Sequence, residues 1–71
     1  MQVQINGEPR SVENAATLRD VWDHEAQALG VEDPRGFAAA LNGRLVPKTR
    51  WTDTPVADGD RIEIIRAMSG G

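Results

Sequence analysis

Cysteine does not occur in this 71-residue sequence, tyrosine is absent too, and the aromatic side chains are limited to Trp22, Phe37 and Trp51. Without a thiol the chain can form no disulfide, offer no thiolate to a metal and hold no persulfide on a side chain. Histidine is nearly missing as well: His24 stands alone in the sequence and reads as a solvated side chain rather than a metal ligand or a general base. No apolar run approaches the roughly 20 residues that a membrane-spanning helix needs, and no apolar leader follows Met1. A cytoplasmic domain with no metal and no membrane partner is the expectation.

Basic stripes are lacking too. The formal net charge is -3; residues 1–34 hold seven acidic and two basic side chains, residues 35–71 four acidic and six basic. A nucleic-acid binder would show clustered Lys and Arg with interleaved aromatics, so protein partners are expected instead, facing an acidic first half and scattered arginines in the second. A chain of this size is one domain that buries only about 60% of the surface exposed when it unfolds.

What is present is written in short alternating runs. Val3 and Ile5 alternate with Gln2 and Gln4, the period of a half-buried strand. Asn6-Gly7 then supplies the pair that a type I′ hairpin turn requires, and a second strand is predicted around Arg10 to Glu13. Thr17 is placed to cap a helix, with Asp20 three residues on as an acidic form of the capping box. Leu18, Val21, Trp22, Ala26 and Leu29 fall on one face of that helix, and Gly30 ends it.

After the loop Glu32–Gly36, Phe37 to Leu41 precede a second Asn-Gly pair, Asn42-Gly43, with Leu45 and Val46 beyond it. Alanine favours helices, yet the turn signal and the shortness of the run predict a hairpin with Phe37, Ala39 and Leu41 on one face. Ala38 and Ala40 then form a flat opposite face that suits partner docking. Pro47 interrupts the edge, Lys48 to Thr54 reads as a polar loop with Trp51 over one end of the core, and Thr54–Asp60 forms a turn. Ile62 and Ile64 point inward from the last strand, which is expected to end where Ile65 breaks the alternation.

The order hairpin, helix, hairpin, strand allows the first and last strands to lie parallel in the middle of one sheet. A single helix can then cover Val3, Ile5, Leu18, Val21, Trp22, Leu29, Leu41, Ile62 and Ile64. The predicted class is α+β, a ubiquitin-like β-grasp with a mixed four- to five-stranded sheet, one main helix packed on one face and a flexible C-terminal tail. Residues 1–66 form the domain and residues 67–71, Ala-Met-Ser-Gly-Gly, a free arm. Extended, five residues reach about 16–18 Å. Two glycines let a backbone thread into a narrow channel in almost any conformation, which makes the Gly71 carboxylate the group presented.

Read together, Ile5-Asn6-Gly7-Glu8-Pro9, Leu41-Asn42-Gly43 with Leu45-Val46-Pro47, Trp51, Thr54-Pro55, Asp58-Gly59-Asp60-Arg61-Ile62-Glu63-Ile64 and Gly70-Gly71 give the chain its likeness. Over its whole length it resembles the ThiS-like sulfur carrier proteins of thiamin biosynthesis, within the ubiquitin-like β-grasp superfamily. Ser69 stands where that family often has a third glycine, and a residue this small leaves threading open.

The resemblance implies a carrier that is a co-substrate and not an enzyme. Its Gly71 carboxylate is adenylated by a ThiF-like partner related to the ubiquitin-activating adenylyltransferases. ATP and Mg²⁺ are used by that partner, and no cofactor is bound by the carrier. Sulfur from a persulfide donor replaces AMP, and the resulting thiocarboxylate serves a ThiG-like thiazole synthase. Gly70, Ser69 and Met68 would thread the partner's active site. Sulfur carriage for molybdopterin, cysteine or another metabolite, isopeptide modification through the same activated Gly71, and a non-covalent β-grasp interaction domain remain the alternatives.

Overall fold

Two Asn-Gly pairs set the architecture. In the computed structural model, which describes residues 1–66, Asn6 and Gly7 adopt φ of 53° and 82°, and Asn42 and Gly43 φ of 51° and 87°. Both central residues of each turn are left-handed, the type I′ geometry that matches strand twist. A Cβ added at Gly7 or Gly43 would meet nothing within 4 Å, so glycine is required there by backbone conformation and not by crowding.

The first turn joins β1 (Gln2–Ile5) to β2 (Glu8–Ser11), and the second joins β3 (Phe37–Leu41) to β4 (Arg44–Val46). The last strand, β5 (Arg61–Arg66), inserts between the hairpins to give the order β2-β1-β5-β3-β4. It runs parallel to β1 and antiparallel to β3. The five-stranded mixed sheet with parallel central strands is the grasp arrangement expected from the sequence. The second strand begins two residues earlier than its predicted start at Arg10, because the two-residue loop pairs Ile5 directly with Glu8. Pro9 is tolerated because β2 is an edge.

One helix, α1 (Leu18–Leu29), covers one face of the sheet. Its start is a complete capping box. The Asp20 carboxylate accepts from the backbone N–H groups of Ala16 (2.8 Å) and Thr17 (3.0 Å), while Thr17 Oγ1 accepts from Asp20 N–H at 3.3 Å. Gly30 closes the other end at φ 74°. The bonds from Ala16 and Thr17 favour the ionised carboxylate and hold Asp20 below its ordinary pKa of 3.8. A depressed folded-state pKa contributes stability above the unfolded value and loses it as pH falls through the folded one. Thermal melts followed by circular dichroism from about pH 7 down to about pH 2 should therefore show the parent losing stability below the ordinary aspartate range. Asp20→Asn should start less stable and fall less on acidification; equal acid sensitivity in both would remove Asp20 as a cause.

The core lies between α1 and the sheet. Val3, Ile5, Leu18, Val21, Trp22, Ala26, Phe37, Ala39, Ile62 and Ile64 are buried, joined by Val12, Trp51 and Val56. Two expectations are corrected. Leu29 shares the helical stripe yet is 54% exposed, since it is the last residue of α1 and overhangs a cleft beside Val31 and Phe37. The segment predicted as a polar loop is a 3₁₀ helix, Lys48–Asp53, that sinks Trp51 to 1% exposure. The indole Nε1 of Trp51 donates to the Val46 carbonyl at 2.8 Å, and its ring lies 5.8 Å from that of Trp22, which in turn sits 4.7 Å from Phe37. No helix among the described residues is long and apolar enough to cross a membrane.

Candidate functional site

Strand β5 (Arg61–Arg66) is the element that the C-terminal residues follow in sequence. Its register with β3 carries it on to Arg66, opposite Phe37, so the expected stop at Ile65 is corrected as well. Ile65 keeps the alternation, turning outward opposite Ala38 at 51% exposure. Met68, Ser69, Gly70 and Gly71, to which the sequence assigns the chemistry, lie outside the described residues. The described site is thus the root from which they follow.

Both Asn-Gly turns grip this strand. The Asn42 carboxamide Oδ1 accepts from Arg61 N–H at 2.9 Å and its Nδ2 donates to Asp60 at 3.1 Å, at the beginning of β5. Asn6 does the corresponding work further along: Oδ1 accepts from Ile64 N–H at 2.9 Å and Nδ2 donates to Ile64 C=O at 3.2 Å. Sequence reasoning used these asparagines only for their positive φ and missed the second task. The available signal was the choice of Asn at both turns, where Asp would serve the turn alone.

Beside Asn6 a cleft of about 270 Å³ opens between the end of α1 and the sheet, floored by Leu29, Val31, Phe37 and Ile64 and flanked by Glu25 and Arg66. The Arg66 guanidinium stands 5.6 Å from the centre of the Phe37 ring, a cation–π approach that ties the last described residue to the core edge. Glu25, its side chain only 12% exposed, pairs with Arg10 at 3.6 Å.

The face away from the helix carries Ala38 and Ala40. Cross-strand neighbours put Ala38 beside Ile65, and Ala40 between Leu45 and Glu63. Leu45 is 70% exposed. The two alanines are half-buried and floor a shallow trough flanked by Leu45, Ile65 and Glu63, so the flat patch anticipated from the sequence is bordered by two apolar side chains and one carboxylate.

A second cleft, about 330 Å³, is lined by Glu13, Asn14, Asp20, Asp23, His24 and Gln27. Its groups are spent on structure: Asp20 caps α1, and His24 Nε2 lies 2.9 Å from the Glu13 carbonyl oxygen, a contact that needs the proton on Nε2. Among the described residues no three His, Asp or Glu side chains converge into a metal-binding group.

The ThiS family profile matches residues 3–71. The sulfur carrier protein ThiS of Thermus thermophilus is 38% identical over 69 residues, 97% of this chain and 98% of that protein. A thiazole synthase of Paramagnetospirillum magneticum is 35% identical over all 71 residues, and the chain spans 20% of its length. The crystal structure of the thiamine biosynthesis protein ThiS from Geobacter metallireducens superposes with a TM-score of 0.75 at 29% identity, covering 100% of each chain.

Proposed function

The chain belongs to the ThiS family, and on that premise we propose that it is a sulfur carrier protein of thiamin biosynthesis that works through the carboxylate of Gly71. The observation that carries this reading is the family match running through Gly70-Gly71, on a fold whose central strand leads toward that end. Residues 1–66 are the handle and residues 67–71 the working arm.

A carboxylate is a poor electrophile, so it must be given a leaving group. Attack of the Gly71 carboxylate on the α-phosphorus of ATP forms the acyl-adenylate and releases pyrophosphate, on a ThiF-like adenylyltransferase that holds the nucleotide and its Mg²⁺. A persulfide donor then attacks the acyl carbon, AMP departs, and an acyl disulfide forms. A second thiol cleaves the S–S bond, leaving the thiocarboxylate and a disulfide between the two donor sulfurs. The carrier supplies no acid, base or nucleophile beyond its own terminus, which makes it a co-substrate. The thiazole synthase likeness supports a ThiG-like acceptor, since a protein of that name contains a region similar to this whole chain.

Docking is assigned to the trough of Ala38 and Ala40, whose walls Leu45 and Ile65 are exposed apolar side chains on the uncovered face. The test is intact-mass measurement after incubation with ATP, Mg²⁺, the adenylyltransferase and a persulfide source. One oxygen-for-sulfur exchange confined to Gly71 is the expected product. An unchanged mass with active enzyme rejects the reading, and a ladder of conjugates on target lysines replaces it with isopeptide modification. In the same assay Ala38→Glu should raise KM for the carrier and leave kcat near its parent value; an unaltered KM removes the trough from the interface.

A further inference from the structure

The parallel ladder between β1 and β5 advances by two residues per rung: Gln4 N–H donates to Asp60 C=O and Asn6 N–H to Ile62 C=O, each at 2.9 Å. The next rung would need backbone groups of β1 to meet Ile64, but β1 ends at Ile5 and the chain turns back through Asn6-Gly7. The Asn6 carboxamide fills that vacant rung from the side chain, accepting from Ile64 N–H and donating to Ile64 C=O. A carboxamide carries the same donor and acceptor as a peptide group. On its other side β5 keeps β3, paired through Ala38 with Ile65 and Phe37 with Arg66.

Resting on the carrier reading above, we infer that Asn6 is a positioning residue for the C-terminal arm: by completing the ladder at Ile64 it fixes the end of β5 from which the arm follows. Without this rung the end of β5 is held from the β3 side alone, and a partner binding the arm must order the strand end as well.

The fold supplies its own control. Asn42 is the matching turn residue, with the same left-handed φ and a side chain that also grips β5, but at Arg61. Asn6→Gly and Asn42→Gly each keep the turn conformation and delete one carboxamide. Three quantities are compared in the full-length variants: melting temperature, amide hydrogen exchange of Ile64 by NMR, and KM and kcat for the carrier in ATP–pyrophosphate exchange with the adenylyltransferase.

Asn6→Gly should speed exchange at Ile64 and raise KM about tenfold, the factor that about 1.4 kcal/mol represents, with kcat within about twofold of the parent. Asn42→Gly should shift the melting temperature comparably and leave KM near the parent value. Equal KM changes in the two variants, or an Ile64 amide as protected in Asn6→Gly as in the parent, overturn the inference. Should Asn6→Gly fail to fold, Asn6→Asp decides: it keeps an acceptor for Ile64 N–H and loses the donor, and a KM equal to the parent's rejects the role. A folded parent that is never adenylated overturns the carrier reading, while Ile64 exchange still reports on the rung itself.

Discussion

Replacing Gly70 with phenylalanine should stop sulfur loading, with kcat/KM for adenylation down by at least about 10²-fold, while the melting temperature should stay at the parent value. A residue with a bulky Cβ substituent loses the positive-φ conformations open to glycine and, on the carrier reading, widens the chain where it enters a partner's channel. Deleting Gly71 gives the same result by another route, because it withdraws the terminal carboxylate by about 3.5 Å from the attacked phosphorus. A displacement of about 1 Å at a reacting centre is enough to cost on the order of 10² in rate. Pyrophosphate exchange and intact mass measure the loss, and a thermal melt separates it from misfolding. Retained loading in either variant would sink the assignment of the chemistry to the terminus; a sharp drop in melting temperature would make these residues structural instead.

The second large effect is on the fold. Trp22→Ala should remove a large share of the protein's total stability and lower its urea midpoint sharply. A 71-residue chain has a total stability of about 4–10 kcal/mol, and truncating a buried tryptophan removes about 3–5 kcal/mol. Trp22 is 1% exposed and is the ring that joins Phe37 to Trp51, so its loss opens a void among three elements at once. Trp22→Phe should keep the fold at reduced stability. Urea denaturation followed by circular dichroism measures both, and a Trp22→Ala midpoint close to the parent's would show that the aromatic cluster is not the centre of the core.

Much of the grasp fold was legible because its signals are local. Asn-Gly pairs between extended runs strongly favour left-handed backbone, and Thr17, Asp20 and Gly30 mark helix ends by chemistry that needs no distant partner. Trp51 was harder to place: the residues around it are polar, and only a 3₁₀ turn seen in three dimensions brings it under Trp22. Leu29 failed in the opposite sense, since periodicity reports which face a residue is on and not whether the sheet extends beneath it. The shared face of Ala38 and Ala40 followed from alternation in β3, but the flanking Leu45 and Ile65 come from neighbouring strands whose register the sequence does not state. The grip of Asn6 on Ile64 was invisible for the same reason, as it joins residues 58 apart.

That separation bears on how the molecule is assembled. Among the described strands the two hairpins share no pairing with each other and join one sheet only through β5. Until β5 is in place the chain holds two hairpins and a helix without a sheet to unite them, and the long-range pairings on which the core depends form when β5 docks. The trough of Ala38 and Ala40 and the held end of β5 both depend on that docking. A partner that recognises the trough across β3, β4 and β5 thereby selects for chains that have been completed through Arg66.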